Sequence, residues 1–192
     1  VTALALLILV PASSSADVAR KLNSGKILAI TVAVGQGVRA GRAMGVVDAS
    51  PAVVARLLNN FVAYKNFIPR VVGSSRLAQD RYRIDVKLPW PIDKVWANIK
   101  VSSGKREGAH VIKWQMEQGD LKVYDGAAWI QPWAGGRTLL TYQFRVVPRV
   151  PAPTALMNKG MISAVTEIVE ALQAYAPRVA SGEVAPGVKV AA

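Results

Sequence analysis

The chain has 192 residues, 52% of them hydrophobic, which is enough to build one domain around a buried core. The absence of cysteine excludes disulfides, thiolate nucleophiles and cysteine-ligated zinc. The formal net charge of +12 favours anionic partners such as acidic lipid headgroups, whereas scattered basic residues without an RNA-binding aromatic signature disfavour nucleic acid.

The first ten residues, VTALALLILV, form an apolar run that is too short to span a bilayer as a helix. Small residues follow this run and end at Ala16, directly before Asp17. This order predicts a signal peptide over residues 1–16, a linker over residues 17–24, and a secreted or periplasmic protein. An N-terminal core strand or a lipid-side anchor is the alternative interpretation.

Two strands and two short helices are predicted next. Residues 26–34, KILAITVAV, favour a strand, and residues 38–47 favour a second strand after a glycine-containing turn. Ser50 is placed to cap a helix, and Pro51 suits the first helical position, where its missing N–H costs nothing. The aromatic-rich residues 64–69 predict a second, shorter helical turn.

The rest of the chain is predicted to be antiparallel strands followed by a long helix. Period-two alternation predicts strands over residues 81–88, 95–101, 110–116, 123–132 and 138–148. Apolar residues at helical spacing predict a helix from Thr154 to Tyr175, ended by Ala176-Pro177. Gly126 within a strand and Gly160 within this helix predict a bulge, a bend or a close backbone approach. Strands grouped between helices indicate an α+β fold.

Several motifs and the order of elements resemble START-like (SRPBCC) helix-grip domains, the superfamily of polyketide cyclases/dehydrases, lipid-transport proteins and coenzyme Q-binding-like members. The motifs are LPWP at residues 88–91, GDLK at 119–122 before YDGAAW at 124–129, and GRT at 136–138. The resemblance implies a curved antiparallel sheet wrapped around a long C-terminal helix, with two short helices after the first strand. It covers residues 25–176 as one domain and leaves residues 177–192 as a disordered tail.

The resemblance also implies a function, which is binding and transport of a hydrophobic small molecule between the sheet and the last helix. A lipid, an isoprenoid or quinone, or a polyketide-like molecule is expected, and no cofactor. The candidate ligand-binding residues lie on the predicted inward faces: Ile84, Trp114, Tyr142, Phe144, Met157, Met161, Val165, Ile168 and Leu172. The candidate rim residues are Tyr64, Phe67 and Trp90, because such aromatic rings suit the edge of an apolar pocket.

Signals for catalysis are few. His110 is the only histidine, so no metal site with two histidines is possible. Glu167, beside the apolar stripe of the last helix, is a candidate general base if burial raises its pKa, and a solvated helix flank is the alternative. An aromatase/cyclase that works by shaping its substrate is the alternative function, and a basic interaction module without a ligand is the second. An anionic membrane surface is a further expected partner.

Overall fold

The computed structural model describes residues 12–34, 39–88, 94–149 and 153–189, with side chains from residue 15 onward. A curved open sheet of eight strands packs around a long C-terminal helix, so the predicted α+β helix-grip architecture is confirmed. The elements in chain order are α1 (Ala12–Asn23), β1 (Leu28–Val32), β2 (Ala40–Val47), α2 (Pro51–Asn59), a 3-10 turn (Phe61–Ala63), α3 (Tyr64–Phe67), β3 (Val71–Ala78), β4 (Arg81–Lys87), β5 (Lys94–Arg106), β6 (Ala109–Gly119), β7 (Leu121–Trp133), a 3-10 turn (Ala134–Gly136), β8 (Arg137–Pro148) and α4 (Thr154–Ala180).

The sheet is built from antiparallel pairs in the order β1-β2-β8-β7-β6-β5-β4-β3. Strand β8 therefore lies between the N-terminal hairpin and the continuous meander β3–β7. One face of the sheet carries the core, which includes residues from α2, the β-strands and α4. Along β4 and β8, buried residues of this face alternate with less buried, mainly polar residues of the other face, as period-two alternation requires.

Local sequence explains the first short helix as predicted. The Ser50 hydroxyl accepts a hydrogen bond from the backbone N–H of Val53, and Pro51 occupies the first turn. Leu57 and Leu58 are completely buried on the face of α2 that meets the core. Phe61 follows directly and stacks on Tyr64 and Tyr82, so the turn after α2 anchors the aromatic part of the core.

Helix α4 packs very close to strand β2. A Cβ atom added at Gly41 would lie 2.8 Å from the backbone oxygen of Met161 on α4, a separation that real side chains do not reach. The absence of a side chain at Gly41 thus permits the backbones of helix and strand to touch. Gly45 faces the same helix in the same way, with Val169 as its nearest neighbour.

Both strands predicted before the short helices are present as β1 and β2, and two later strands differ from the sequence predictions. Strand β3 was not predicted, because register shifts after Val71 and Arg76 interrupt its alternation and most of its residues are exposed. Strand β5 continues to Arg106 through a segment that was predicted as a turn. The turn itself is confined to Glu107 and Gly108, both in the left-handed region with φ of 51° and 78°.

The segment predicted as a linker, residues 17–24, is mostly the second half of α1 and packs on the domain. Leu22 is buried, and the Asn23 side chain accepts hydrogen bonds from the Trp133 indole and the Arg137 guanidinium. Residues 1–11 lie outside the described residues, and cleavage after Ala16 stays a prediction. Within the described ranges, no helix has the length and apolarity that a membrane span requires.

The C-terminal end of the helix also differs from its prediction. Helix α4 continues through Pro177 to Ala180, because Ala176 and Val179 extend its buried stripe and tertiary burial outweighs the proline. The following residues fold back onto the domain instead of leaving it as a disordered tail. The Tyr175 hydroxyl donates to the backbone oxygen of Val188 at 2.8 Å, and the Asn66 amide donates to that of Gly187 at 2.6 Å.

Candidate ligand-binding cavity

A cavity of about 280 Å³ lies between the sheet and the N-terminal half of α4. The loop between α3 and β3 supplies one wall, through Ile68 and the residues up to Val71. The strands supply mainly apolar side chains, namely Val86, Val95, Ala97, Leu121, Tyr124, Tyr142, Phe144 and Val146. The volume is near the lower end of the roughly 300–1,000 Å³ that is usual for small-molecule sites.

Helix α4 contributes two different stripes to the interior. The residues that line the cavity recur at helical spacing along its first half: Leu156, Met157, Gly160, Met161, Ala164 and Ile168. A second stripe of Val165, Val169, Leu172 and Ala176 is completely buried and lines no part of the cavity. The first half of α4 therefore covers open space, and the second half closes a solid core.

Five of the nine candidate ligand-binding residues line the cavity: Tyr142, Phe144, Met157, Met161 and Ile168. The other four, Ile84, Trp114, Val165 and Leu172, are buried in the core instead. Each of these four faces inward as its pattern predicts. The sequence pattern separates inside from outside, but it does not separate cavity from core.

Trp114 shows why an inward-facing residue misses the cavity. A Cβ atom added at Gly126, its neighbour on β7, would lie 2.3 Å from the Trp114 ring, so the indole fills the space of the missing side chain. The ring also packs against Phe61 and Tyr142, with centroids 6.4 and 5.2 Å away. These contacts leave it 4% exposed and hold it in the core. Gly126 thus marks a close approach, which is one of the roles its position predicted.

The rim predictions have mixed outcomes. Tyr64 lines the cavity but is buried, and its hydroxyl donates to the backbone oxygen of Leu58 at 2.6 Å. Phe67 does not line the cavity and stacks face to face on Tyr175, with centroids 4.9 Å apart. Trp90 lies outside the described residues.

Several residues that shape the cavity were not among the predicted ligand-binding residues. Tyr124 lies two residues before Gly126 on the inward face of β7, so the alternation of this strand could have identified it. Gly160 and Ala164 are small residues on the cavity stripe of α4. A Cβ atom added at Gly160 would meet no atom within 4 Å. Gly160 therefore does not mark a close approach to the sheet, which was one of the expected roles, but leaves space open.

An ion pair joins the wall loop to α4 beside the cavity. Arg70, a lining residue with φ of 66°, donates from Nε and Nη2 to the two carboxylate oxygens of Glu167, at 2.8 and 2.5 Å. The Ser163 hydroxyl adds a hydrogen bond of 2.7 Å to the same carboxylate. The Arg70 hydrogen bonds lower the pKa of Glu167, which outweighs its partial burial. Because the pKa of Glu167 is lowered, the condition under which it was a candidate general base is not met, and the alternative of a helix flank fits better.

Side chains that could act as an acid, a base or a metal ligand are scarce at the cavity. No imidazole and no carboxylate is among the described residues that line the cavity. His110 lies on β6 at α2, where its Nε2 is 3.1 Å from the Asn59 amide nitrogen. No cluster of metal-ligating side chains occurs in the part of the chain that the structure describes. Burial raises the pKa of Tyr124 to about 12 and that of Tyr142 well above its usual range.

A comparison with known protein families assigns the chain to one of them. Residues 47–173 match the family described as "Polyketide cyclase / dehydrase and lipid transport". The chain belongs to this family. The match begins at the end of β2 and covers the whole cavity wall, including the described parts of α4 that line it. No curated protein matches the chain.

Solved structures share the fold at low sequence identity. The STAR-related lipid transfer protein from Xanthomonas axonopodis is 17% identical, with a TM-score of 0.67, over 79% of this chain and 93% of that one. Human StAR-related lipid transfer protein 5 is 13% identical, with a TM-score of 0.63, over 86% and 93%. The Zhui aromatase/cyclase from Streptomyces sp. R1128 is 15% identical, with a TM-score of 0.56, over 78% and 98%.

Proposed function

We propose that this protein binds a small hydrophobic molecule in the cavity beneath the first half of α4. The observation that carries the proposal is Gly160. A glycine inside a helix costs about 1 kcal/mol relative to alanine, yet α4 keeps one at a point where a side chain would enter open space. Space maintained against helix propensity, with mainly apolar walls around it, is what a hydrophobic ligand requires.

The ligand class and the purpose of binding belong to the same proposal. The family description names lipid transport, and two of the structures with this fold carry lipid transfer in their names. A lipid, an isoprenoid or quinone, or a polyketide-like molecule suits the apolar walls. Carriage of such a molecule between surfaces needs a binding site and no catalytic group.

The two alternative functions have less support. An aromatase/cyclase shares the fold, but the described cavity lining offers no acid or base side chain, and Glu167 is held by Arg70. A basic interaction module without a ligand would be expected to have a filled core, and the space at Gly160 argues against it. Binding is therefore the better-supported function.

Docking to anionic membranes and export from the cell extend the proposal. Leu156 is 64% exposed on the first turn of α4 and also lines the cavity, so an apolar side chain stands at its open side. The exposed side chains of Arg149 and Lys159 lie near it in the chain, on the segments that flank this end of α4. Such a surface suits contact with acidic lipid headgroups.

Filling the cavity tests the binding proposal. Gly160→Leu places a good helix former where no atom obstructs it, so we expect unfolding stability to stay equal or to rise. The same leucine should occupy the ligand space and weaken binding of the neutral dye Nile red by about tenfold or more. Fluorescence titration measures the affinity, and thermal unfolding without dye measures the stability.

A leucine elsewhere on the same helix is the matched control. Ala174→Leu adds the same side chain to an exposed position of α4 outside the cavity, and it should bind Nile red like the wild type. Wild-type protein that does not bind Nile red would contradict the proposal, as would equal affinity in Gly160→Leu. Native mass spectrometry of the purified protein then searches for a hydrophobic mass that the wild type retains and Gly160→Leu loses.

A further inference from the structure

Several polar side chains line the cavity, and some of them already contact other residues of the protein. The Tyr64 hydroxyl donates to the Leu58 backbone oxygen, and the Arg70 guanidinium is bound to Glu167. The ring of Trp96 packs 4.5 Å from the Arg83 guanidinium. The Tyr64 and Arg70 side chains therefore have little left to offer a ligand. By contrast, the contact of Arg83 with the ring face does not use the indole N–H of Trp96.

Two hydroxyl groups remain. Tyr124 and Tyr142 both line the cavity, and neither hydroxyl has a hydrogen-bond partner among the described residues. Tyr142 is only 3% exposed. Neither oxygen is among the fully enclosed unpaired polar atoms of the described residues, so each can be reached from the cavity and can pair with the hydroxyl or carbonyl oxygen of a bound molecule.

The two hydroxyls act in the same region of the cavity. Strands β7 and β8 are paired, and Tyr124 and Tyr142 both lie on the inward face of this pair. Both rings pack edge-on against Phe144, with centroids 6.5 and 6.3 Å away. Burial raises the pKa of both phenols. Both phenols therefore stay uncharged at physiological pH, and each can donate or accept one hydrogen bond.

The charge balance of the cavity excludes an anionic group at this place. Arg70 is the only cationic side chain among the described lining residues, and the Glu167 carboxylate neutralises it. A carboxylate or phosphate buried beside the two phenols would have no counter-charge, and burial of an unpaired charge is strongly unfavourable. A hydroxyl or a carbonyl carries no such penalty.

We infer that the cavity selects an uncharged hydrophobic molecule that carries a hydroxyl or carbonyl oxygen, which the Tyr124 and Tyr142 hydroxyls bind. The inference rests on the proposed function and narrows its ligand class. It favours alcohols, ketones and quinone-type molecules over fatty-acid anions and phospholipid headgroups. The apolar skeleton occupies the space beside Gly160 and Ala164, and the oxygen lies at the tyrosines.

Four molecules of equal chain length test this selection: dodecane, dodecan-1-ol, dodecan-2-one and dodecanoate. Each competes with Nile red at pH 8, where dodecanoate is ionised, and at high salt, which screens attraction to the basic surface. We expect dodecanoate to bind about tenfold more weakly than dodecan-1-ol. The double variant Tyr124→Phe/Tyr142→Phe should bind the alcohol and the ketone about tenfold more weakly and dodecane equally well.

Tyr82→Phe is the control variant, because Tyr82 is a buried tyrosine that does not line the cavity. It should bind all four molecules like the wild type. Unchanged alcohol and ketone affinities in the double variant, or dodecanoate binding as tight as dodecan-1-ol, would overturn the inference while Nile red binding still supports the proposed function. Failure of Nile red and of all four molecules to bind would overturn both.

Discussion

A missing side chain at Gly126 decides where the largest buried ring of the core lies. Trp114 occupies the space that a Cβ atom at Gly126 would need, and its indole nitrogen has no hydrogen-bond partner among the described residues. The ring then meets Phe61 and Tyr142, and Tyr142 in turn lines the cavity. Gly126 therefore fixes one end of the aromatic cluster that supports the cavity wall.

Substitution at this glycine should destabilise the fold. The new Cβ atom of Gly126→Ala would lie 2.3 Å from the Trp114 ring and 2.5 Å from the backbone oxygen of Gln143. Movement of the ring relieves only the first contact, so the backbone of the paired strand must shift as well, and overpacking of this kind costs about 1–3 kcal/mol. Denaturant unfolding measures the free energy of unfolding of wild type and variant.

Gly104→Ala is the matched control for that experiment. Gly104 also lies in a strand, β5, but an added Cβ atom there would meet nothing within 4 Å. We expect its stability to equal that of the wild type or to exceed it slightly, because alanine restricts the unfolded chain. Equal stability of the two alanine variants would show that Trp114 adapts without cost.

Among the secondary-structure elements, α4 both lines the cavity and closes the core, and its sequence does not distinguish the residues that do one from those that do the other. Its cavity stripe and its core stripe are adjacent, and both consist of apolar residues. Hydrophobic spacing predicted one inward stripe of Met157, Met161, Val165, Ile168 and Leu172, in which residues that line the cavity and residues of the core stand side by side. Whether a side chain meets another side chain or open space depends on the opposite strands, which spacing along α4 does not contain.

The Arg70–Glu167 ion pair joins α4 to the loop before β3, and we expect Glu167→Gln to weaken this connection. The loss at pH 7 should be about 1 kcal/mol, kept small because about a third of each side chain is exposed and water screens the charges. The folded-state pKa of Glu167 lies below its unfolded value of about 4.3. The stability from the ion pair is therefore fully present above about pH 4.3 and is lost as the pH falls through the folded pKa.

Urea unfolding at a series of pH values between about 3 and 7 tests this dependence. The stability difference between wild type and Glu167→Gln should be largest at neutral pH and should disappear at the acidic end. Glu170→Gln is the control, because Glu170 is exposed on the same helix and has no ion pair among the described residues. A difference for Glu167→Gln that does not change with pH would contradict the electrostatic explanation.

At the scale of the whole molecule, most of the order of elements was predictable, whereas the sequence did not show which inward-facing residues line the cavity. The Ser50–Pro51 helix start, the alternating strands and the long last helix each follow from local residue patterns. Strand β3 escaped prediction because bulges break its alternation. The positions of the Tyr124 and Tyr142 hydroxyls at the cavity emerge only when β7 and β8 pair, because their lack of partners among the described residues depends on the folded surroundings.

The net charge of +12 is likewise a property of the whole chain, and we expect it to drive binding to anionic vesicles. Binding to vesicles that contain phosphatidylserine should fall about tenfold or more between about 0.05 and 0.5 M NaCl, because salt screens exposed charges. Nile red binding should not change over this range, because the cavity carries no unpaired charge among its described lining residues. Equal binding to pure phosphatidylcholine vesicles would contradict membrane docking by charge. Tight, sequence-tolerant binding to nucleic acid with the same salt dependence would instead support a basic interaction module.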